Sequence, residues 1–195
     1  MTIRPYFVEV LGTPEAGKTT AIKGVISSLS RKGYTVQYIR EAAEIVPEQF
    51  KKGSGEAHIW MGLNVAQNIM SAKFSNADIV LIDRGIFDIL FWNDFHYKIG
   101  NLTQEQLNAS NSFFKSFDLM PQLTIALTTE AEEAIRRRGG EGRIVTKAFL
   151  ERYNQAFCEF CNEVIPDIIM LDTTNMTPSE VVEFMESTIR RYFHG

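Results

Sequence analysis

The sequence predicts an α/β fold, a parallel sheet with helices on both faces. Two observations predict it. Five short apolar or β-branched segments recur along the 195 residues, each the length of a strand buried on both sides. Between them lie longer segments whose apolar residues recur at helical spacing. The resulting βαβαβαβαβα alternation demands right-handed crossovers and a three-layer sandwich. The length suits one domain spanning 1–195.

The elements follow in order. Residues 7–11 are an apolar run and read as the first strand. Ile22, Val25, Ile26 and Leu29 mark one face of the first helix, and Gly33 stops it. Residues 34–39 are β-branched and aromatic, a second strand that delivers Arg40 and Glu41 at its carboxyl end, the edge where open α/β sheets bind ligands. Residues 41–77 read as helical with an interruption near 51–55; Ile59, Leu63, Ala66 and Met70 recur at helical spacing. Residues 78–83 form the third strand and 86–98 a helix with Phe87, Leu90, Phe91 and Phe95 in the core. Capping boxes are read at 103–106, 129–132 and 177–180. Residues 123–127 and 168–171 are the last strands. Phe149, Tyr153, Phe157, Phe160 and Val164 stripe the helix between them and read as core.

The stretch Gly12, Thr13, Pro14, Glu15, Ala16, Gly17, Lys18, Thr19, Thr20 fits the phosphate-loop pattern of Gly, four residues, then Gly-Lys-Thr. It lies between a strand and a helix start, where its mechanism needs it. The glycines let successive N–H groups curl toward phosphate oxygens, and the helix dipole adds positive charge there. Lys18 would reach the β- and γ-phosphates and Thr19 would hold Mg²⁺. The implied ligand is a nucleoside triphosphate with Mg²⁺, ATP or GTP. Asp83 ends an apolar strand and can hold the metal's shell. The basic, glycine-rich stretch 136–145 reads as a mobile lid that brings arginine to phosphates.

The net charge of −4 predicts no nucleic-acid partner. No apolar run reaches the ~20 residues of a membrane span, so no membrane partner is expected. Cys158 and Cys161 read as small apolar residues on a helix, because no second pair completes a zinc site. The cytoplasm is the expected compartment.

These residues resemble small phosphate-loop kinases of the thymidylate kinase and deoxynucleoside kinase group. The resemblance is carried by the loop, by Arg40-Glu41 after the second strand, by Asp83-Arg84, by Pro121-Gln122-Leu123-Thr124-Ile125, and by Arg138 and Arg143-Ile144 where that group has lid arginines. It implies the P-loop NTPase fold with strand order 2-3-1-4-5. It departs at Ala42, which replaces a proline, and at Gly142 and Val145. In 59–69, thymidylate kinases present an arginine that grips the acceptor's phosphate, whereas this chain has Asn64, Gln67 and Asn68. A neutral acceptor therefore competes with a monophosphate.

The implied activity is ATP- and Mg-dependent phosphoryl transfer to a nucleoside, a nucleotide or a similar small alcohol or phosphate. Lys18, Arg138 and Arg143 would meet phosphate charge. Arg84 would sit by the attacking oxygen and Glu41 would take its proton. Arg40, Asn64, Gln67 and Arg84 would line the acceptor site. The resemblance also allows a homodimer through apolar surface at Trp60, Met61 and 87–95. The competing class is a regulatory P-loop ATPase or GTPase without an acceptor; no Asn-Lys-x-Asp guanine-reading motif is present.

Overall fold

The computed structural model describes residues 5–50, 54–140 and 145–194. Five segments are strands: β1 (Tyr6–Gly12), β2 (Val36–Ile39), β3 (Ile79–Asp83), β4 (Leu123–Thr128) and β5 (Ile169–Asp172). They form one sheet in the order β2-β3-β1-β4-β5, the order the resemblance implies. β2 runs parallel to β3 with Val36 opposite Ile79, and β4 runs parallel to β5 with Ile125 opposite Ile169. All five residues of β3 are buried, as a strand covered on both faces requires.

The chain divides into two compact units. The first holds Met1–Glu9 and Thr35–Gln122, the second Val10–Tyr34 and Leu123–Gly195. In the first unit, β2 leads to a three-residue 3₁₀ turn, Ala42–Glu44, and then to helix α2 (Gly55–Ala72). The helical reading of 41–50 is thus corrected to one short turn: Pro47 lacks the N–H that a continued helix needs. The interruption read at 51–55 lies largely outside the described residues. Ser54 caps α2 by accepting the Ala57 amide at 3.2 Å.

Of the stripe read at helical spacing, Ile59, Leu63 and Met70 are 56%, 48% and 51% exposed and face outward, while Ala66 is buried. The buried face of α2 is Ala57, His58, Gly62, Val65, Ala66, Ile69 and Ala72. Helix α3 (Ile86–Lys98) buries Phe87, Ile89, Leu90 and Phe91. Those rings belong to the core, which removes residues 87–91 as the expected dimer surface. Helix α4 (Gln104–Lys115) opens with the capping box read from sequence, Thr103 with Gln106.

In the second unit, helix α1 (Lys18–Arg31) packs on helix α7 (Pro178–His194). Thr177 and Glu180 exchange hydrogen bonds as the capping box at the start of α7. The capping box read at 129–132 is corrected. Helix α5 (Ala131–Arg138) has Glu130 as its N-cap with no side-chain cap bond, while Thr129 is buried at the end of β4. The Glu130 amide donates instead to Thr174 Oγ1 at 3.0 Å. Helix α6 (Lys147–Val164) buries Tyr153, Phe157 and Phe160. Its last residue, Val164, is 37% exposed rather than core. Cys158 and Cys161 are free thiols on α6. No helix among the described residues is long and apolar enough to cross a membrane.

Candidate functional site

The phosphate loop joins β1 to α1 within the second unit. Its curvature needs left-handed backbone at Gly17 (φ 86°) and at Glu15 (φ 58°), a conformation that costs a side-chain-bearing residue about 1 kcal/mol. At Gly12 a Cβ would lie 2.1 Å from the Leu127 carbonyl oxygen, so only glycine lets β1 pass this close to β4. The Thr13 amide donates to that carbonyl at 3.0 Å. Thr13 Oγ1 accepts from the Thr129 amide at 3.2 Å. The loop is thereby pinned at its entry.

The first intrahelical bond of α1 is Ala21 N–H to the Gly17 carbonyl. The amides of Lys18, Thr19 and Thr20 precede it and have no intrahelical acceptor. No side chain caps this end, and no acid occupies the first turn. Uncapped amides at a helix start, with the dipole behind them, make an anion site. A Cβ on Gly17 would meet nothing within 4 Å, so the mouth of the cradle is open. Lys18 is buried, and its Nζ donates to the carbonyls of Gly12 at 3.0 Å and Thr13 at 2.9 Å. Thr19 and Pro14 are half-buried, Thr20 is exposed, and Ala16 is buried. These residues fit a polyphosphate.

A cavity of about 380 Å³ adjoins the loop, lined by Gly17, Thr20, Arg136, Arg137, Met176 and Pro178 among others. No motif in the sequence singles out Arg137, yet it touches the loop. Its guanidinium donates to the carbonyl of Glu15 at 3.1 Å, to Thr173 Oγ1 at 3.1 Å and to the Thr173 carbonyl at 2.6 Å. Glu133 accepts from Arg136 and Arg137, and this pairing holds its carboxyl down at about 2. The spacing Glu133 to Arg137 is the available signal: residues four apart share a helix face. Arg138 is exposed at the end of α5, outside the residues lining this cavity. Arg143 lies outside the described residues, as do all of 141–144 in the segment 136–145 read as a lid, while Arg136, Arg137 and Arg138 are in α5.

The first unit carries the remaining candidates. Arg84 has φ 59°, a left-handed turn directly after β3. Its Nε lies 2.9 Å from Glu41 Oε1, and its Nη1 donates to Asp88 Oδ1 at 2.8 Å. Arg84, Glu41 and Asp88 are thus brought together, with Asp88 the member that no sequence pattern marks. Arg40 is not part of this group; it is exposed and pairs with Glu44 at 3.7 Å. Asp83 is buried, and its Oδ2 accepts from Tyr38 Oη at 3.1 Å. Burial and the charge of Asp83 push the Tyr38 phenol up. Asn64 is half-buried and accepts from Asn68 Nδ2 through both its carbonyl and its side chain. Gln67 is exposed.

Among the described residues, no group of three or more His, Cys, Asp or Glu is arranged to hold a metal ion. Mg²⁺ does not need one: it keeps several waters and takes one or two protein oxygens beside phosphate. The Thr19 hydroxyl and the Asp83 carboxylate are hard oxygen donors of the kind it takes.

The fold is the one that solved phosphate-loop kinases have. The chain is similar to deoxyadenosine kinase from M. mycoides with bound dCTP, at TM-score 0.71 and 19% identity over 95% of this chain and 99% of that one. The same enzyme with products dCMP and a flexible dCDP bound gives TM-score 0.72, again at 19% identity and the same coverage. Thymidylate kinase from Candida albicans gives 0.69 at 22% identity, over 97% of this chain and 94% of that one. No protein-family model matches the chain.

Proposed function

We propose that the protein is an ATP- and Mg-dependent phosphotransferase whose acceptor is a nucleoside or nucleotide. The single observation that carries the reading is the contact of Glu41 with Arg84 at 2.9 Å. A proton acceptor held against a guanidinium is what transfer to a hydroxyl needs, and a nucleotide switch has no use for it. The intact anion cradle at 12–20 supports the donor half.

Phosphoryl transfer asks for positioning and charge neutralisation. The Gly17 to Thr20 amides hold phosphate oxygens. Lys18 leaves the carbonyls of Gly12 and Thr13 for the β- and γ-phosphates. Thr19 and Asp83 are the hard oxygens that would hold Mg²⁺, which would supply positive charge against the donor phosphates. Glu41 takes the proton of the attacking hydroxyl, and Arg84 steadies that oxygen. Arg138 and Arg143 serve the transferred group from the lid. The cavity beside Arg137 takes the donor's base.

A neutral acceptor fits α2 best. Its 18 residues include no lysine or arginine. Its histidine, His58, is buried with Nε2 2.7 Å from Asn93 Oδ1, and burial pushes its pKa down. A dianionic monophosphate would find no fixed cation on this helix. The dCMP product in the M. mycoides enzyme is what phosphorylation of a nucleoside yields. A cytoplasmic homodimer belongs to the same proposal, through Ile59, Leu63 and Met70, which share one exposed face of α2; sedimentation velocity of Leu63→Glu against wild type tests it.

The experiment is ³²P transfer from ATP and Mg²⁺ across a panel of nucleosides and their monophosphates. Labelled nucleoside monophosphates are the expected product. Slow ATP hydrolysis with no labelled acceptor would sink the proposal.

A further inference from the structure

Glu9 is an acid in the middle of an apolar strand. Its neighbours Val8, Val10 and Leu11 are 0% exposed, and so is Glu9. A carboxylate without water is retained only where other groups take over its hydration. Three backbone donors do so here. Oε1 accepts from the amides of Gly85 at 2.8 Å and Asp88 at 3.0 Å, and Oε2 accepts from Phe87 at 3.2 Å. All three belong to the first turn of α3 or to its cap.

That helix cannot cap itself. Its N-cap is Gly85, which has no side chain to offer. Nor could a larger residue stand there, because a Cβ on Gly85 would lie 2.7 Å from the Glu9 carboxyl. β1 therefore supplies from 76 to 79 residues away the cap that local sequence withholds. Immediately before Gly85 is Arg84 in its left-handed conformation, and three residues after it is Asp88, which holds Arg84 Nη1. The one carboxylate of Glu9 fixes the backbone on which both ends of that contact are mounted.

We propose that Glu9 is a positioning residue for Arg84: it caps α3 in trans and so sets the direction in which the guanidinium meets Glu41 and the acceptor. Its kinetic consequence rests on the kinase reading; its structural consequence does not. Glu9 touches neither donor nor acceptor and acts through the backbone of residues 85–88.

The test uses the full chain with Glu9→Leu and Glu9→Gln. Leucine removes every acceptor atom. Glutamine keeps Oε1 for Gly85 and Asp88 and turns its amide toward Phe87, the longest of the three bonds. Glu9→Leu should speed amide exchange at Gly85, Phe87 and Asp88 by about tenfold or more relative to amides of α1 and β4. Slow rotation of the held guanidinium should resolve the Arg84 signals in wild type, and Glu9→Leu should merge them into one averaged signal. Glu9→Gln should restore protection at Gly85 and Asp88 and the separate Arg84 signals, while Phe87, facing an amide donor, stays fast. With ATP and the best acceptor, Glu9→Leu should lower kcat by about 30-fold with KM for ATP unchanged. The proposal is overturned if Glu9→Leu leaves the three amides and the Arg84 signals as in wild type. Equal loss of protection in α1 and β4 overturns it too, as does failure of Glu9→Gln to restore Gly85, Asp88 and the Arg84 signals. A wild-type protein that labels no acceptor removes the kinase reading, and the exchange and guanidinium readouts then decide this one alone.

Discussion

Glu41 Oε1 lies 2.9 Å from Arg84 Nε, and the two side chains are only 23% and 15% exposed. At this burial the pair has partly left water, so each charge depends on the other more than an exposed pair would. Asp88 holds the same guanidinium from its other side, so removing Glu41's charge leaves Arg84 anchored. Glu41→Gln is therefore expected to keep the fold and the affinity for nucleotide. It should lower kcat by about 10²–10⁴, the usual contribution of a positioned base. Steady-state kinetics with calorimetry of ATP binding checks both halves. Unchanged kcat would show that the acceptor's proton goes elsewhere.

Lys18 in its present position is bonded to its own loop, to the carbonyls of Gly12 and Thr13. These neutral acceptors satisfy a buried ammonium until a stronger anionic partner arrives. Lys18→Ala should weaken MgATP binding by about 100-fold, the loss of one charge-assisted contact of roughly 3 kcal/mol. It should leave thermal stability little changed, since the two carbonyls it frees belong to a loop already bonded through Thr13 to Leu127 and Thr129. Titration calorimetry and a melting curve together test this.

Arg137 and Arg138 are adjacent in sequence and should behave differently. Arg137 joins α5 to the left-handed turn at Glu15 and to Thr173 in the segment after β5. Arg138 is exposed one residue further round the helix. Arg137→Ala should loosen the loop and weaken nucleotide binding by about tenfold, and lysine should not restore it, because one ammonium cannot replace a fork of donors. Arg138→Ala should spare binding and, if it serves a lid, lower turnover, toward the ~10³-fold cost of losing a catalytic arginine. Equal loss of affinity in both variants would remove the distinction.

What the sequence made legible were features whose cause is local. The phosphate loop is a contiguous pattern. The capping boxes at Thr103 and Thr177 need only residues three apart. The box read at Thr129 fails because β4 runs one residue further than its apolar run suggests and buries Thr129 before the helix begins. The stripe of Ile59, Leu63, Ala66 and Met70 established a helix, but of these only Ala66 is buried, because periodicity alone does not say which face is covered. Small residues settle that in the fold: a Cβ on Gly62 would lie 2.5 Å from the Phe114 ring. Glu9 and Asp88 were illegible for another reason. The significance of Glu9 lies in amides more than seventy residues away, and Asp88 gains its role only when Arg84 turns left-handed.

Burial pushes the Glu9 carboxyl up from 4.5 to about 7, with Asp88's charge adding to the rise and the three amide bonds opposing it. The folded state then holds its proton more tightly than the unfolded chain does. Between pH about 4.5 and 7 the folded form binds more protons, so stability falls as pH rises through that window. Below 4.5 the carboxyl is protonated in both states and the penalty vanishes; above 7 it is fully present. Its size is on the order of 3 kcal/mol, because each tenfold gain in proton affinity is worth about 1.4 kcal/mol. Glu9→Gln has no proton to exchange and should lose this part of the pH dependence while keeping two of the three amide bonds. Urea unfolding of wild type and Glu9→Gln at pH 5, 6, 7 and 8 measures the difference. The two stability curves should diverge as pH rises, with glutamine the more stable at pH 8. Parallel curves would mean that Glu9 titrates at an ordinary carboxylate value and that the amides of α3 fully offset its burial.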